Sequence, residues 1–362
     1  MKMEPHGKKS ARKGRGATLS PGNRFSSLQS EWDDGLEGPS PVTECRRVEA
    51  RSIIARNSSP DVPFTQSINP YQGCEHGCVY CYARPTHAYL DLSPGLDFET
   101  RLTYKANAAE QLERELSRPG YRCAAITIGA NTDPYQPVER RLRLTRQLLE
   151  VILHYKHPVS LITKSALITR DIDLLAELAD SQLCSVAISV TCLDDTLKRQ
   201  LEPRAASAKA RLATMAALSE AGIPITLLFA PVIPALNDSD MEELLALAAD
   251  AGARDAAYIL LRLPLEIRDM FYDWLRTHYP LRAEHVMSLI RQSRGGRDND
   301  SRFGLRMRGT GTFADILEQR FRLTCKRLGL HRREAPQLRT DLFTPPPNPQ
   351  ARRAGQYDLF TR

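Results

Sequence analysis

The sequence predicts an α/β fold on a parallel sheet, with its chemistry at the C-terminal ends of the strands. Two observations carry this expectation. Short β-branched or apolar runs alternate about six times with amphipathic helical stretches, and polar segments of unusual composition follow the apolar runs directly. The chain has 362 residues, of which 42% are hydrophobic, enough to bury a sizeable core. Such a sheet is either open and doubly wound or curved into a partial barrel, and both forms place sites at strand ends.

Residues 1 to about 40 are polar, rich in Gly, Ser and charge, and show no hydrophobic period, so a basic disordered tail is expected. One compact domain, 41–333, follows without an obvious linker or internal repeat. A short strand ending near Ile68 opens it. Further strands are expected at 125–130, 159–163, 186–191, 225–232 and 257–263, and helices at 108–116, 140–155, 172–178, 209–221, 241–251 and 313–328. Leu144, Leu148, Val151 and Ile152 share one face at helical spacing. Gly222 with Ile223-Pro224 ends a helix and leads into a strand. Asp238 or Ser239 is expected to cap the helix that follows, with Asn237-Asp238 at the rim of the site. Residues 334–362, with PPPNP and several arginines, read as a flexible tail.

No uninterrupted apolar run approaches the ~20 residues of a membrane span. The start, MKMEPHGKKSARKGRG, is basic but has no apolar stretch behind it, so a secretory signal is not expected and a cytoplasmic location is. In such a setting eight cysteines point to metal binding or catalysis rather than disulfides. Cys45, Cys123, Cys184, Cys192 and Cys325 are scattered and read as small core residues. The net charge of +7 allows an anionic partner such as nucleic acid. Lys2, Lys8, Lys9, Arg12, Lys13, Arg15 and Arg24 load the first tail and another basic stretch runs over 320–333; solubilising tails are the plainer reading.

The segment NPYQGCEHGCVYCYARP carries the sharpest signal, a C-x3-C-x2-C spacing at Cys74, Cys78 and Cys81. Thiolates are the preferred ligands of iron–sulfur clusters. Three from one loop can hold three irons of a [4Fe-4S] cube and leave the fourth open to an amine and a carboxylate. Gly73 and Gly77 let the backbone fold tightly. The competing reading is a zinc site completed by His76 or His87. No second C-x2-C pair supports zinc, and no fourth nearby cysteine supports a ferredoxin.

This loop resembles the signature of the radical S-adenosylmethionine (SAM) superfamily. TIGANTDPYQPVE, ITKSALITRDIDLL, LEPRAA and LLFAPVIPALND, in that order, are similar to a branch related to spore photoproduct lyase, over nearly all of 40–330. The resemblance implies a partial (β/α)6 barrel with disordered tails, a [4Fe-4S] cluster on Cys74, Cys78 and Cys81, and SAM at its open iron. It places Tyr80 near the adenine, Asn131, Thr132 and Asp133 at the SAM amino group, and Lys164 at the SAM carboxylate. An Asp-Pro turn and a surface lysine are the structural alternatives. Strand alternation puts Ser189 and Thr191 on one side, facing SAM or bonding only backbone. Arg204 could fix a carboxylate and Glu202 ribose hydroxyls, or the two could form an ion pair.

The chemistry implied is one-electron cleavage of SAM to methionine and a 5′-deoxyadenosyl radical, which abstracts hydrogen from a substrate. An electron donor such as flavodoxin or ferredoxin is implied as a partner. Lyase-type repair of DNA lesions is one expectation. Radical modification of RNA, protein or a small molecule is another, and a non-catalytic Fe–S module in a DNA-associated complex is a third. The lyases' hydrogen-returning cysteine has no counterpart here, where Ala130 and Asn131 stand. Cys192 or Tyr135 is the candidate substitute. Finally, Gln356-Tyr357-Asp358-Leu359-Phe360 resembles the short motif that docks bacterial proteins on the replication sliding clamp. Thr340-Asp341-Leu342-Phe343 is a weaker version, with Arg339 in place of the leading glutamine.

Overall fold

The structure, a computed structural model, describes residues 14–25, 42–330 and 338–347. Its strands are β1 (Glu44–Val48), β2 (Ile54–Arg56), β3 (Gln66–Ile68), β4 (Tyr71–Gln72), β5 (Arg101–Lys105), β6 (Ile126–Ile128), β7 (Val159–Thr163), β8 (Cys184–Ser189), β9 (Ile225–Val232) and β10 (Asp255–Leu260). The larger sheet has the order β10-β9-β8-β7-β6-β3-β2. Its six strands β3 and β6 to β10 run parallel, and β2 lies antiparallel on the β3 edge. β1, β5 and β4 form a small separate sheet.

This order resolves the two architectures left open by the sequence. A doubly wound sheet reverses its strand order at a switch point. Here each parallel strand adds beside its predecessor, always in one direction. Right-handed crossovers then place every helix on the same face, and the sheet curls away from them into a partial barrel.

The burial pattern has the same cause. Ile126, Leu161, Val186, Ile188, Leu227 and Phe229 are fully buried in the core shared with the outer helices. The alternate positions Ser160, Ile162, Ala187, Thr226 and Leu228 are half-buried. Those positions face the inside of the curl, where Thr127 and Ser160 hydroxyls meet at 2.7 Å. The strands thus carry large apolar residues outward and mostly small or polar ones inward, with Ile162 of β7 and Leu228 of β9 as apolar exceptions.

Several boundaries differ from the sequence expectation. The helix expected over 140–155 is two pieces, Glu139–Leu142 and Leu144–His154, broken at Arg143 with φ 52°. β8 and β10 end before Thr191 and Leu263, leaving their last residues as loop at the site. The helix after β9 starts at Met241 without a side-chain cap, because Asp240 accepts from Leu193 N instead. Asn237 caps no helix either. Its side chain binds Ile233 N at 2.6 Å, Thr191 O at 2.6 Å and Pro231 O at 2.9 Å, stapling the ends of β8 and β9.

Two helices not anticipated, Ile267–His278 and Ala283–Gln292, pack Phe271, Trp274 and Val286 behind Val79 of the cysteine loop. Parts of both expected tails are also folded. Residues 14–25 lie against the cysteine loop. Leu342 and Phe343 pack on the core, with the Phe343 ring 5.6 Å from Tyr121 and 5.1 Å from His157.

Candidate cofactor site at the strand ends

The cysteine loop leaves β3, crosses the strand ends and returns toward the sheet through Tyr80 and Tyr82. Cys74, Cys78 and Cys81 carry free thiols, the first two buried and the third half-buried. Burial pushes all three thiols up in pKa, and each feels a neighbouring cysteine or Lys164. Protonated at neutral pH, they must release their protons to bind metal.

The loop's shape is fixed from several sides. Gly77 has φ 68°, and a Cβ there would meet Glu99 Oε2 at 2.9 Å. Gln136 clamps both flanks of Cys74, donating to Gly73 O at 3.1 Å and accepting from Glu75 N at 2.9 Å. Arg84 is fully buried, donates to Cys78 O at 2.8 Å and pairs with Glu99 at 2.6 Å. Residues 14–25 close the outer side: Gly16 N and Ala17 N both donate to Glu99, at 3.1 and 2.9 Å.

These residues fit a cluster better than a zinc ion. His76 Nδ1 stands 3.3 Å from Asp133, and His87 Nε2 is bonded to Arg101 O at 3.0 Å. Each histidine thus turns one ring nitrogen toward a neighbour other than the three thiols. No group of three His, Cys, Asp or Glu gathers tightly enough for a single metal ion among the described residues. What remains is three soft donors on one pre-shaped loop, the donor set of an iron–sulfur cube.

The residues expected at SAM divide into two groups. Thr132 and Asp133 brace the loop. Thr132 Oγ1 donates to Tyr71 O at 2.9 Å. Asp133 accepts from Tyr135 N, Thr163 Oγ1 and Lys164 N, at 2.9, 2.7 and 2.7 Å, besides facing His76. Burial would raise its pKa, but His76 and these donors hold it below the usual carboxylate range. Its acceptor capacity is spent inside the protein, which removes it as a partner for an amino group. Asn131 holds the loop only through its backbone, donating to Asn69 Oδ1 at 3.0 Å. Its own side chain makes no hydrogen bond among the described residues.

Lys164 belongs to the second group. Its Nζ donates to Ser189 Oγ at 2.5 Å and to Ala230 O at 3.4 Å, and stands 3.7 Å from Glu202. Ser189 and Thr191 share one side as alternation requires, their hydroxyls converging on Ala230 O at 3.2 and 3.1 Å. Behind them lies a buried network. Glu202 accepts from Thr191 Oγ1 at 2.6 Å, from the Tyr80 hydroxyl and from Arg211. Burial alone would raise the Glu202 pKa; Arg211, then Lys164, with the two hydroxyls, hold it at about 2. Glu202 therefore has a buried cation as its partner and is not offered to a ribose. Tyr80 is 8% exposed and tied to that network by its hydroxyl. Arg204 pairs with Glu75 of the loop at 3.0 Å rather than with Glu202.

The candidate hydrogen donors are placed elsewhere. Cys192 turns its thiol toward Asp194 O at 3.6 Å and is 2% exposed in the apolar cluster around Trp274. Tyr135 is fully buried in the outer core. The sequence reading missed Arg211, Gln136, Tyr82 and Arg262. Tyr82 follows Cys81, is 47% exposed, and its hydroxyl donates to Ala130 O at the end of β6. Its ring lies 5.5 Å from the guanidinium of Arg262, just past β10. One residue thus touches the ends of strands at opposite sides of the curl.

The radical SAM superfamily profile matches residues 68–248. An uncharacterised protein of Mycobacterium tuberculosis is 39% identical over 233 residues, 64% of this chain and 68% of its own. One of Methanocaldococcus jannaschii is 27% identical over 195 residues, 54% of this chain and 70% of its own. Among solved structures, spore photoproduct lyase complexed with dinucleoside spore photoproduct aligns over 81% of this chain and 85% of its own, with TM-score 0.54 and 16% identity. A mutant of that lyase with bound AdoMet and the dinucleoside covers 78% and 79%, also at TM-score 0.54 and 16% identity. At that identity the likeness speaks for the fold. The profile match over half the chain, the relatives and the three-thiol loop agree: the chain belongs to the radical SAM superfamily, which works with a [4Fe-4S] cluster and SAM.

Proposed function

We propose that this chain is a radical SAM enzyme that holds its cluster on Cys74, Cys78 and Cys81, cleaves SAM reductively, and acts on DNA lesions by a lyase-type reaction. The observation that carries the reading is the loop of three free thiols at the C-terminal ends of a singly wound parallel sheet, beside the Lys164 ammonium. When bound, the cluster and SAM supply a one-electron cleavage that initiates hydrogen-atom abstraction. The chain's residues supply the rest. Lys164 offers a cation to the SAM carboxylate, Ser189 and Thr191 line the neighbouring strand end beside it, and Asn131 offers an amide that makes no hydrogen bond among the described residues. Glu202 and Arg211 hold Tyr80 and Thr191 in place from behind. The DNA substrate rests on the net charge of +7 and on the resemblance to spore photoproduct lyase.

Anaerobic reconstitution tests this. The expected result is about four irons per chain, with SAM converted to methionine and 5′-deoxyadenosine, and loss of both in Cys78→Ala. Full iron content and cleavage in that variant would overturn the ligand assignment. Iron without SAM cleavage selects the non-catalytic module. A panel of lesion-bearing DNA, RNA and peptide then separates substrates: lesion-dependent change in SAM turnover supports DNA repair, and a response to RNA or peptide alone replaces it.

The clamp-docking motif at Gln356, Leu359 and Phe360 lies outside the described residues and stays a proposal from sequence. Its weaker upstream version is occupied, since Leu342 and Phe343 pack on the domain. Titrating the last ~20 residues as a peptide against a bacterial clamp checks it, with Leu359→Ala/Phe360→Ala as the non-binding control.

A further inference from the structure

We infer that Arg262, just past the end of β10, receives an anionic group of the substrate, a backbone phosphate of a nucleic-acid strand. The inference rests on the substrate reading above and deepens it.

Arg262 stands out because it lacks what the other arginines around it have. Arg306 is bound by Asp61 and Ser59, Arg302 by Asp300, and Arg294 by the carbonyls of Leu260, Leu261, Leu305 and Arg306. The Arg262 Nε is shielded from solvent and has no hydrogen-bond partner among the described residues. The polar contact of its Nη1 is the Met307 sulfur at 3.8 Å, a weak acceptor. No carboxylate lies within ion-pair distance among the described residues. Burial, and then Arg306, work against its charge. A guanidinium with five donors, held half out of water without a counter-ion, is a cost to the folded chain that an incoming oxyanion removes.

Its place says which oxyanion. Lys164 and Ser189 mark the cofactor side of the site, at β7 and β8. Arg262 lies past the last parallel strand, β10, over the Tyr82 ring, and near enough to Arg306 for the two cations to oppose each other. Arg306 in turn sits 4.7 Å over Phe303, which is 59% exposed. The ring under Arg262, Tyr82, is itself 47% exposed. A cation without a counter-ion over an exposed aromatic ring is the pairing that holds single-stranded nucleic acid, phosphate on the arginine and base on an aromatic face.

The test titrates the reconstituted full chain into a fluorescein-labelled single-stranded DNA dodecamer at several salt concentrations. Arg262→Gln is expected to bind about tenfold more weakly, with the salt slope reduced by about 0.7, one phosphate contact. Arg262→Lys should recover part of the loss. Arg118→Gln, on an exposed residue after the helix Ala108–Leu116, is the control and should match wild type. Because Arg262 has no carboxylate partner among the described residues, and loses with its charge only the Tyr82 ring and the weak Met307 contact while shedding a desolvated cation, the melting temperature of Arg262→Gln is expected to hold or rise. A drop of several degrees marks a structural role and overturns the inference. Equal binding and slope in Arg262→Gln overturn it while leaving the substrate reading intact. Weakened SAM binding with unchanged DNA binding assigns the anion to the SAM carboxylate and also overturns it. A wild-type chain that ignores the dodecamer overturns both the inference and the nucleic-acid substrate, without touching SAM cleavage.

Discussion

Asp133 and Lys164 follow neighbouring strands, and in the sequence both looked like ligands for SAM. Their hydrogen bonds separate them: Asp133 spends its oxygens on three donors and faces His76, while Lys164 reaches only into the shared opening and the Glu202 network. Opposite outcomes follow for their alanine variants. Asp133→Ala should lose about 2–3 kcal/mol of stability and much of its iron, because the braced loop slackens. Lys164→Ala should keep its iron and bind SAM about tenfold more weakly, the scale of one lost charge-assisted bond. Iron analysis and calorimetric SAM titration of both variants check this; the reverse pattern would exchange their roles. The cysteines could be read directly because one short loop holds all three, and their spacing is local. The partner of Glu202 could not. Arg211 reaches it from the next helix, and only burial at that junction makes the pair obligatory.

At the scale of elements, the segment 14–25 is the clearest departure from what the sequence implied. It has no hydrophobic period because it does not dock by an apolar face. It docks by polar contacts: the backbone Gly16 N and Ala17 N on Glu99, the Thr18 hydroxyl on Asp273 at 2.7 Å and the Arg24 guanidinium on Glu266 at 2.8 Å. Such attachments leave no periodic trace. Gly16 is the pin, since a Cβ there would come 1.8 Å from Gly77 O. Gly16→Val should therefore release the segment, cost about 1–3 kcal/mol, and open residues 14–25 to proteolysis, read by limited digestion and thermal melting. A variant as resistant as wild type would show that the segment docks without that contact. The helix Ile267–His278 is the converse case. Ile267, Met270, Phe271, Trp274 and Leu275 fall at helical spacing and are all fully buried, so its signal was present in the sequence.

For the whole molecule, alternation of strand and helix was legible in the residues, whereas the curl was legible only through the family resemblance, which implied a partial barrel. It depends on the order in which distant strands pair, and both candidate architectures share the same local pattern. The closing of the C-terminal segment was equally hidden, since Phe343 meets its partners far back in the chain. Those partners give the fold a pH dependence. His157 is fully buried, its Nε2 2.8 Å from the Tyr121 hydroxyl and its Nδ1 2.9 Å from Pro158 O. Burial lowers its pKa from 6.5 to about 4. The unfolded chain therefore binds the proton first. Stability from this group is complete above pH 6.5 and is lost as pH falls toward 4, by about 3 kcal/mol. Urea unfolding across that range should show the loss, and His157→Gln should flatten it. An unchanged slope would place the titration elsewhere.

The pin at Gly16 also bears on how the protein is made. With residues 14–25 seated on Glu99, the loop is covered on its outer side. Before that segment settles, that side is bare. Maturation is thus a matter of order: iron and sulfide that arrive before the segment docks meet a loop open on its outer side, and those that arrive afterwards meet a covered one.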